Sequence, residues 1–302
     1  MLGCNCEAGL SNLGRPNCVP IQSVTSKLIL VNMKANDGTA NFIDLTTTLP
    51  TWSTLINEAD ASKRWIPTPY FENVELPKAD SQFEEANSGR MAFLRQGKRS
   101  FSGELWSDDS TPTLLGKLDA GRCVEFGVYI VDVNGSLIGS KKDGKLYPIP
   151  VDTPSWDPKF MFSTDSTVQK IMLGFDFDRL FNESTMYLIN SEEANQNFND
   201  LDGLVDVNFV NFTQNSPLAG DVTFDAQFDY GTAVTPLVFQ GATGVDFALT
   251  LGGVTEAFTV VENQPVDGNY TVTITAGITV GGAYELSIAR DGFEGSIKFI
   301  GA

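Results

Sequence analysis

The sequence predicts a mainly β protein built as two sandwich-like units, and three observations carry that reading. In residues 124–133, Val124, Phe126, Val128, Tyr129, Ile130, Val131 and Val133 are β-branched or aromatic, the composition that suits a strand. Asn134-Gly135 follows at once, a strong local signal for a hairpin. Beyond residue 220 the chain alternates apolar and polar residues in short runs separated by glycine-rich turns.

Val124 to Pro150 therefore reads as one long hairpin. A two-residue type I′ turn is expected at Asn134-Gly135, because both residues tolerate positive φ. Leu137 and Ile138 return along the partner strand, Asp143-Gly144 makes a second turn, and Pro148 and Pro150 limit further ladder pairing. Asp132 excepted, residues 126–133 are apolar or small on both faces. A strand with one wet face alternates. The second face is thus covered, by its own domain or by a neighbouring subunit, and the expectation is that neighbouring chains complete much of that burial.

The remaining elements follow in chain order. Residues 1–23 are rich in Gly, Asn, Pro and Cys and read as an extended arm, either unpacked or reaching a neighbouring subunit. Lys27–Met33 is a continuously apolar strand, Asn36-Asp37-Gly38 a turn, and Phe42–Leu45 the expected hairpin partner. Trp52, Leu55, Ile56 and Ala59 share one face of a short helix over residues 51–61. Residues 65–80 hold three prolines among Trp65, Ile66, Tyr70, Phe71, Val74 and Leu76, which excludes a regular helix. That segment reads as a long loop, lying on its own core or on a partner. Arg95, Lys98 and Arg99 form a basic knot, either an exposed charged turn or a docking patch for the acidic face of another copy. Thr111–Ala120 reads as a helix with Thr111 at the N-cap, Pro112 at the first helical position and Gly121 just past the end.

Pro154–Phe162 then connects through Trp156 to an alternating strand, Val168–Asp178, with Ile171, Leu173, Phe175 and Phe177 on its apolar face. Asp176 and Asp178 lie on the other face. They lack the glycine and further carboxylates of a Ca²⁺ loop, so strand periodicity explains them better. Met186–Ile189 is a further strand, and Val205–Phe212 is expected to close the first unit.

Composition narrows the functional classes. The chain has 302 residues, 38 acidic against 20 basic, and a net charge of −18. Such a surface disfavours nucleic-acid binding through phosphate neutralisation. It suits a wall along which DNA slides without sticking, and it also serves solubility. With no histidine, Ser-His-Asp and Cys-His centres and the commonest metal ligand are excluded. Cys4 and Cys6 are too closely spaced for a paired zinc ligand, and no histidine is present beside Cys18 to complete a set. Free thiols and a disulfide from Cys4 or Cys6 to Cys18 both stay open. Cys123 is expected to be a small buried hydrophobe. No apolar run of about 18 residues occurs, so no transmembrane helix and no membrane partner are expected. No basic and then apolar leader opens the chain, so no signal peptide is read. No catalytic, cofactor-binding or metal site is expected. An enzyme, for instance a two-carboxylate glycosidase using Asp176 or Glu183, has no supporting constellation.

A domain boundary is expected at Asn215–Gly220. Beyond it Val222, Phe224, Ala226, Phe228 and Tyr230 alternate, and similar runs recur to the end of the chain. About seven short strands in roughly 90 residues are the signature of an Ig-like sandwich. The expected division is an arm over 1–23, a mainly β domain with one or two short helices over 24–214, and an Ig-like β-sandwich over 215–302.

A mostly β first domain with a helix at 111–120 between strands, the hairpin 124–150, the segment RQGKRSFSGELW at 95–106 and an appended Ig-like domain together resemble the major tail tube proteins of tailed bacteriophages. The stretch Trp65–Trp106, with ENVE, FEEANSGR and RQGKRSFSG, is similar to virion proteins of phages infecting Bacteroidetes-type bacteria. The resemblance implies a tail-tube-like β-sandwich or barrel, no catalytic residues, and homo-oligomeric, stacked hexameric rings around a DNA conduit. It further implies contacts with other virion tail proteins, a place in the virion tail after synthesis in the host cytoplasm, and weak host-surface contact by the Ig-like domain. The competing readings are another virion protein (head decoration, collar or fibre) and a secreted Ig-like adhesin or carbohydrate-binding module. The last draws on Trp65, Trp106 or Trp156 as an exposed aromatic.

Overall fold

The computed structural model describes residues 19, 21–106, 109–179, 181–216, 220–232, 234–264 and 267–302. The expected N-terminal arm, with Cys4, Cys6 and Cys18, lies almost wholly outside the described residues.

Among the described residues the first unit contains fourteen strands: β1 Thr25–Asn32, β2 Ile43–Asp44, β3 Ile66–Pro67, β4 Glu72–Glu75, β5 Gln82–Glu85, β6 Met91–Arg95 and β7 Ser100–Trp106, then β8 Phe126–Asp132, β9 Leu137–Lys142, β10 Lys145–Tyr147, β11 Ile149–Pro150, β12 Asp157–Met161, β13 Lys170–Asp176 and β14 Met186–Ile189. Helices α1 (Trp52–Ile56) and α2 (Pro112–Asp119) lie between them, and α3 (Ser191–Ala194) follows β14. One sheet runs β2-β10-β9-β8-β1-β3, with β11 also on β8 and β14 on β9. A second runs β12-β13-β7-β4, and β5-β6 is a separate ribbon.

Every residue of β8 is buried. On one face Leu28, Val128 and Ile130 cluster with Phe101, Leu105, Ile171, Leu173 and Phe175 of the second sheet, and Leu118 of α2 and Trp156 close the side. On the other face Ile29, Val31, Tyr129 and Val131 cluster with Trp52, Ile56, Trp65, Phe198 and Leu201. Both covers come from the same chain, which corrects the expectation that neighbouring chains complete this burial. Periodicity registers that a face is covered; it does not register that α1, Trp65 and Phe198, distant in sequence, fold over it. The indole N–H of Trp52 donates to the Ala194 carbonyl at 3.1 Å and so ties two of these covering segments together.

Several local expectations hold and others shift. In α2 the Thr111 hydroxyl accepts from the Leu114 amide at 3.2 Å, with Pro112 at the start. Gly121 is not in the left-handed region that a helix-ending glycine adopts; the chain runs on as a 3₁₀ turn, Ala120–Cys123. Cys123 sits in that turn and is exposed, not buried, because the strand begins only at Phe126. The connection after β8 is a three-residue loop rather than a type I′ turn. The Gly135 amide donates to the Asp132 carbonyl at 2.9 Å, the Asp132 amide donates to the Ser136 carbonyl at 3.1 Å, and Gly135 takes φ +74°. The buried Asp132 carboxylate fixes it, accepting from the amides of Asn134 at 3.0 Å and Ser136 at 2.8 Å. Both central residues have positive φ in the Asp143-Gly144 turn instead. β2 pairs with β10, not with β1. Residues 65–80 are no free loop: they supply β3 and β4 and bury Trp65 and Phe71.

The second unit comprises β15 Val205–Ser216, β16 Asp221–Gly231, β17 Pro236–Val238, β18 Phe247–Leu251, β19 Val254–Thr255, β20 Phe258–Glu262, β21 Asn269–Ile274, β22 Ala283–Ile288, β23 Phe293–Glu294 and β24 Ser296–Ile300. One sheet is ordered β20-β21-β16-β15-β23 and the other β19-β18-β22-β24. With β15 as strand A these are the D-E-B-A and C′-C-F-G orders of an Ig-like sandwich. Phe224, Phe247, Leu249, Tyr270 and Leu286 fill its core. β15 pairs along most of its length with β16, so Val205–Phe212 opens this sandwich rather than closing the first unit. Asn215 and Ser216, where a linker was expected to begin, are the last residues of β15, and β16 begins at Asp221. Turn residues mark linkers and hairpins alike.

Val131→Asp, which buries an unpaired carboxylate, is expected to destabilise the isolated monomer by about 4 kcal/mol or more. Val133→Asp, at a position 53 % exposed, is expected to shift stability by no more than about 0.5 kcal/mol. Denaturant unfolding of dilute protein measures both.

Candidate functional site

The longest fully exposed element is the β5–β6 ribbon. Every residue of both strands is exposed. Its loop repeats the geometry after β8: the Gly89 amide donates to the Ala86 carbonyl at 2.8 Å, the Ala86 amide donates to the Arg90 carbonyl at 2.9 Å, and Gly89 has φ +79°. Phe83 pairs across the strands with Phe93, and Glu85 with Met91. Side chains alternate between faces along a strand, so Phe83, Phe93 and Met91 share one face. The two phenyl rings meet edge-on at 5.7 Å and remain 53 % and 55 % exposed.

The ribbon is rooted in the body by charge and by ladder. Lys78 and Arg99 form an isolated bridge, and the Ala79 amide donates to the Lys98 carbonyl at 2.8 Å. A Cβ on Gly97 would overlap the Ala79 carbonyl, so glycine is required where the two strands close. Glu183 accepts from Arg99 Nε at 2.8 Å and from Lys78 Nζ at 2.8 Å. The Arg99 hydrogen bond, aided by Lys78 against partial burial, holds the Glu183 carboxyl below its ordinary value. Lys98 bridges Asp152 at 2.7 Å and Asp176 at 3.3 Å. Two members of the basic knot are therefore occupied within their own chain. Beyond them, residues 86–97 hold Arg90 and Arg95 and no acidic residue. Neither arginine makes an ion pair among the described residues; Arg95 Nε donates to Gln82 Oε1 at 2.7 Å.

A groove of about 790 Å³ lies where the two units meet. Its wall includes β3, the loop to Tyr70, α2, Val124, the segment 202–206, Tyr230 and Glu294. Ile66, Tyr70 and Val124 are exposed apolar or aromatic residues of that wall. Three ion pairs span the junction. Arg64 reaches Glu294, and Lys117 reaches Asp206 at 2.6 Å and Asp229 at 3.2 Å. Burial opposes the Lys117 charge, yet its carboxylate partners hold its pKa above the ordinary lysine value. Beneath the groove Lys27 is 1 % exposed. Its amine donates to the carbonyls of Asn199 at 3.0 Å and Leu201 at 2.7 Å and to Asp202 at 3.1 Å. With its three donors used, this lysine is a structural tie.

The remaining candidates separate. Asp176 accepts from the Ser100 hydroxyl at 2.6 Å as well as from Lys98, and Glu183 serves the ribbon root. Trp65 and Trp156 are buried, while Trp106 is exposed and donates to Glu104 at 2.7 Å. Among the described residues no three Cys, Asp or Glu side chains gather as metal ligands. No helix there is long and apolar enough to cross a membrane. The sequence reading missed both the ribbon and the groove. The ribbon had a signal in the runs QFEE and MAFLR flanking a Gly-containing turn; the groove, built from segments far apart in sequence, had none. No protein-family model, no curated protein and no solved structure matches the chain.

The sign of the Glu183 pH effect follows from its depressed pKa. The unfolded chain takes up the proton first, near the ordinary value of 4.5. The ion pairs thus add stability above that pH and lose it as pH falls through the folded value. Glu183→Gln is expected to lower the melting temperature at pH 7 and to flatten its decline between about pH 5 and pH 3, read by thermal unfolding across that range.

Proposed function

We propose that the protein is a structural virion protein, the major tail tube subunit of a tailed bacteriophage, assembling into stacked rings around a DNA conduit. The observation that carries the proposal is the β5–β6 ribbon, which leaves Phe83, Met91 and Phe93 in solvent on a fold whose cores are already filled. An isolated two-stranded hairpin is marginal in water, and a projecting apolar face of this kind marks an interaction site. Two further features support the reading. The first unit is a two-sheet sandwich flanked by α2 and followed by an Ig-like sandwich, the arrangement expected from the tail tube resemblance. The net charge of −18 lets DNA pass a lumen without adhering. Trp106 supports a carbohydrate-binding module less well, because its indole N–H is already engaged by Glu104.

Negative-stain electron microscopy of concentrated protein tests this. Rings or tubes with a central channel are expected, and particles that stay single at every concentration would overturn the proposal.

A further inference from the structure

We infer that the second unit is hinged on the first at Leu204–Val205 and held against it by an electrostatic clasp, so that screening or removing the clasp swings the units apart and opens the groove between them. This goes beyond the proposed assembly and does not depend on it.

No core is shared across the junction. The two apolar clusters of the first unit draw no residue beyond Leu204, and the cluster of the second draws none before Val207. Each unit is therefore packed without the other. The ties across the junction are polar. Arg64 reaches Glu294, and Lys117 reaches Asp206 at 2.6 Å and Asp229 at 3.2 Å. The Gly292 amide donates to Asn57 Oδ1 at 3.1 Å, and the Thr113 hydroxyl donates to the Asp229 carbonyl at 3.5 Å. Both cations come from the first unit and all three carboxylates from the second. The second unit can return no comparable cations, because residues 205–302 hold only Arg290 and Lys298 as basic residues. Units joined by a polar contact without a common core move relative to each other. Solvent reaches the clasp, since the side chains of Asp206 and Glu294 are 43 % and 47 % exposed, and ion pairs open to solvent are weak and screened by salt.

The covalent link is short and anchored on both sides. Asp202 is tied by Lys27 at 3.1 Å, and Leu204 packs against the cluster that contains Trp52 and Trp65. The Val205 amide already belongs to the second unit, donating to the Gly292 carbonyl at 3.0 Å. Rotation is thus confined to the few dihedral angles between these anchors, as at a hinge. Arg64, Lys117, Asp206 and Glu294 all line the groove, so the clasp that joins the units also sets the groove's width.

Single-molecule energy transfer at nanomolar concentration tests this on single chains. Val133 and Val245, one on each unit, are 53 % and 85 % exposed. In a chain carrying Cys4→Ser, Cys6→Ser, Cys18→Ser and Cys123→Ser, dyes are attached at Val133→Cys and Val245→Cys. One narrow distribution of separations is expected at about 10 mM salt. It is expected to shift and broaden by about 1 M, as the screening length falls from roughly 30 Å to about 3 Å. Arg64→Glu with Lys117→Glu is expected to show the broad distribution already at the lower salt, with unchanged near-ultraviolet circular dichroism. Arg64→Glu alone is expected to lower the salt midpoint of opening, and Glu294→Arg added to it is expected to restore that midpoint, which a misfolded variant could not do. A separation unchanged by salt would overturn the hinge. A broad distribution at low salt before any clasp residue is changed would overturn the clasp. A midpoint that Glu294→Arg fails to restore would overturn the part given to Arg64 and Glu294.

Discussion

A strand with no wet face has to be covered twice, and β8 obtains both covers from its own chain. On one side the second sheet and Trp156 close over Val128 and Ile130; on the other, Trp52, Trp65 and Phe198 close over Tyr129 and Val131. Burying backbone and side chains this deeply is tolerable only if the polar groups at the strand end are satisfied. Asp132 meets that condition by accepting from the amides of Ser23, Asn134 and Ser136. Asn199 bonds to the Asp132 carbonyl and accepts from the Ser26 hydroxyl, and Lys27 binds the segment that follows it. The apolar cores and this polar seam fix one packing of the first unit around β1 and β8.

Because that core is complete, apolar surface left over elsewhere is not a by-product of an unfinished fold. Part of it lies on the ribbon and along the groove between the units. The ribbon is anchored at its root by Glu183 and Lys98, so its tip is presented rather than folded back. The groove is stitched by Arg64–Glu294 and Lys117–Asp206, so its walls are held at a set separation. The Ig-like sandwich contributes one wall of that recess through Tyr230 and Glu294.

How much was legible in the sequence follows the range of the interactions involved. Period-2 alternation placed Ile171, Leu173, Phe175 and Phe177 on the buried face, and Thr111-Pro112 marked the start of α2, because both signals are local. The Ig-like sandwich was legible for the same reason, through repeated alternation and glycine-rich turns. Its first strand was not, since NSPLAG reads equally as a linker or a hairpin turn. The second cover of β8 was illegible: nothing in residues 126–132 encodes that Trp52 and Phe198 will meet there. The basic knot was visible as composition, but its division into occupied Lys98 and Arg99 and unpaired Arg95 depends on Glu183 and Asp152, far along the chain. The ribbon lay within reach of local signals and was obscured by the prolines before it and the arginines after it.

The central claim is that the fold is complete in one chain and that association uses the ribbon. Amide hydrogen exchange compared between dilute and concentrated protein tests it most directly. The account predicts the same strong protection of Phe126–Asp132 at both concentrations, with residues 82–95 gaining protection only when the protein is concentrated. Loss of protection in β8 on dilution, or a ribbon that exchanges equally fast in both samples while the protein assembles, would contradict it.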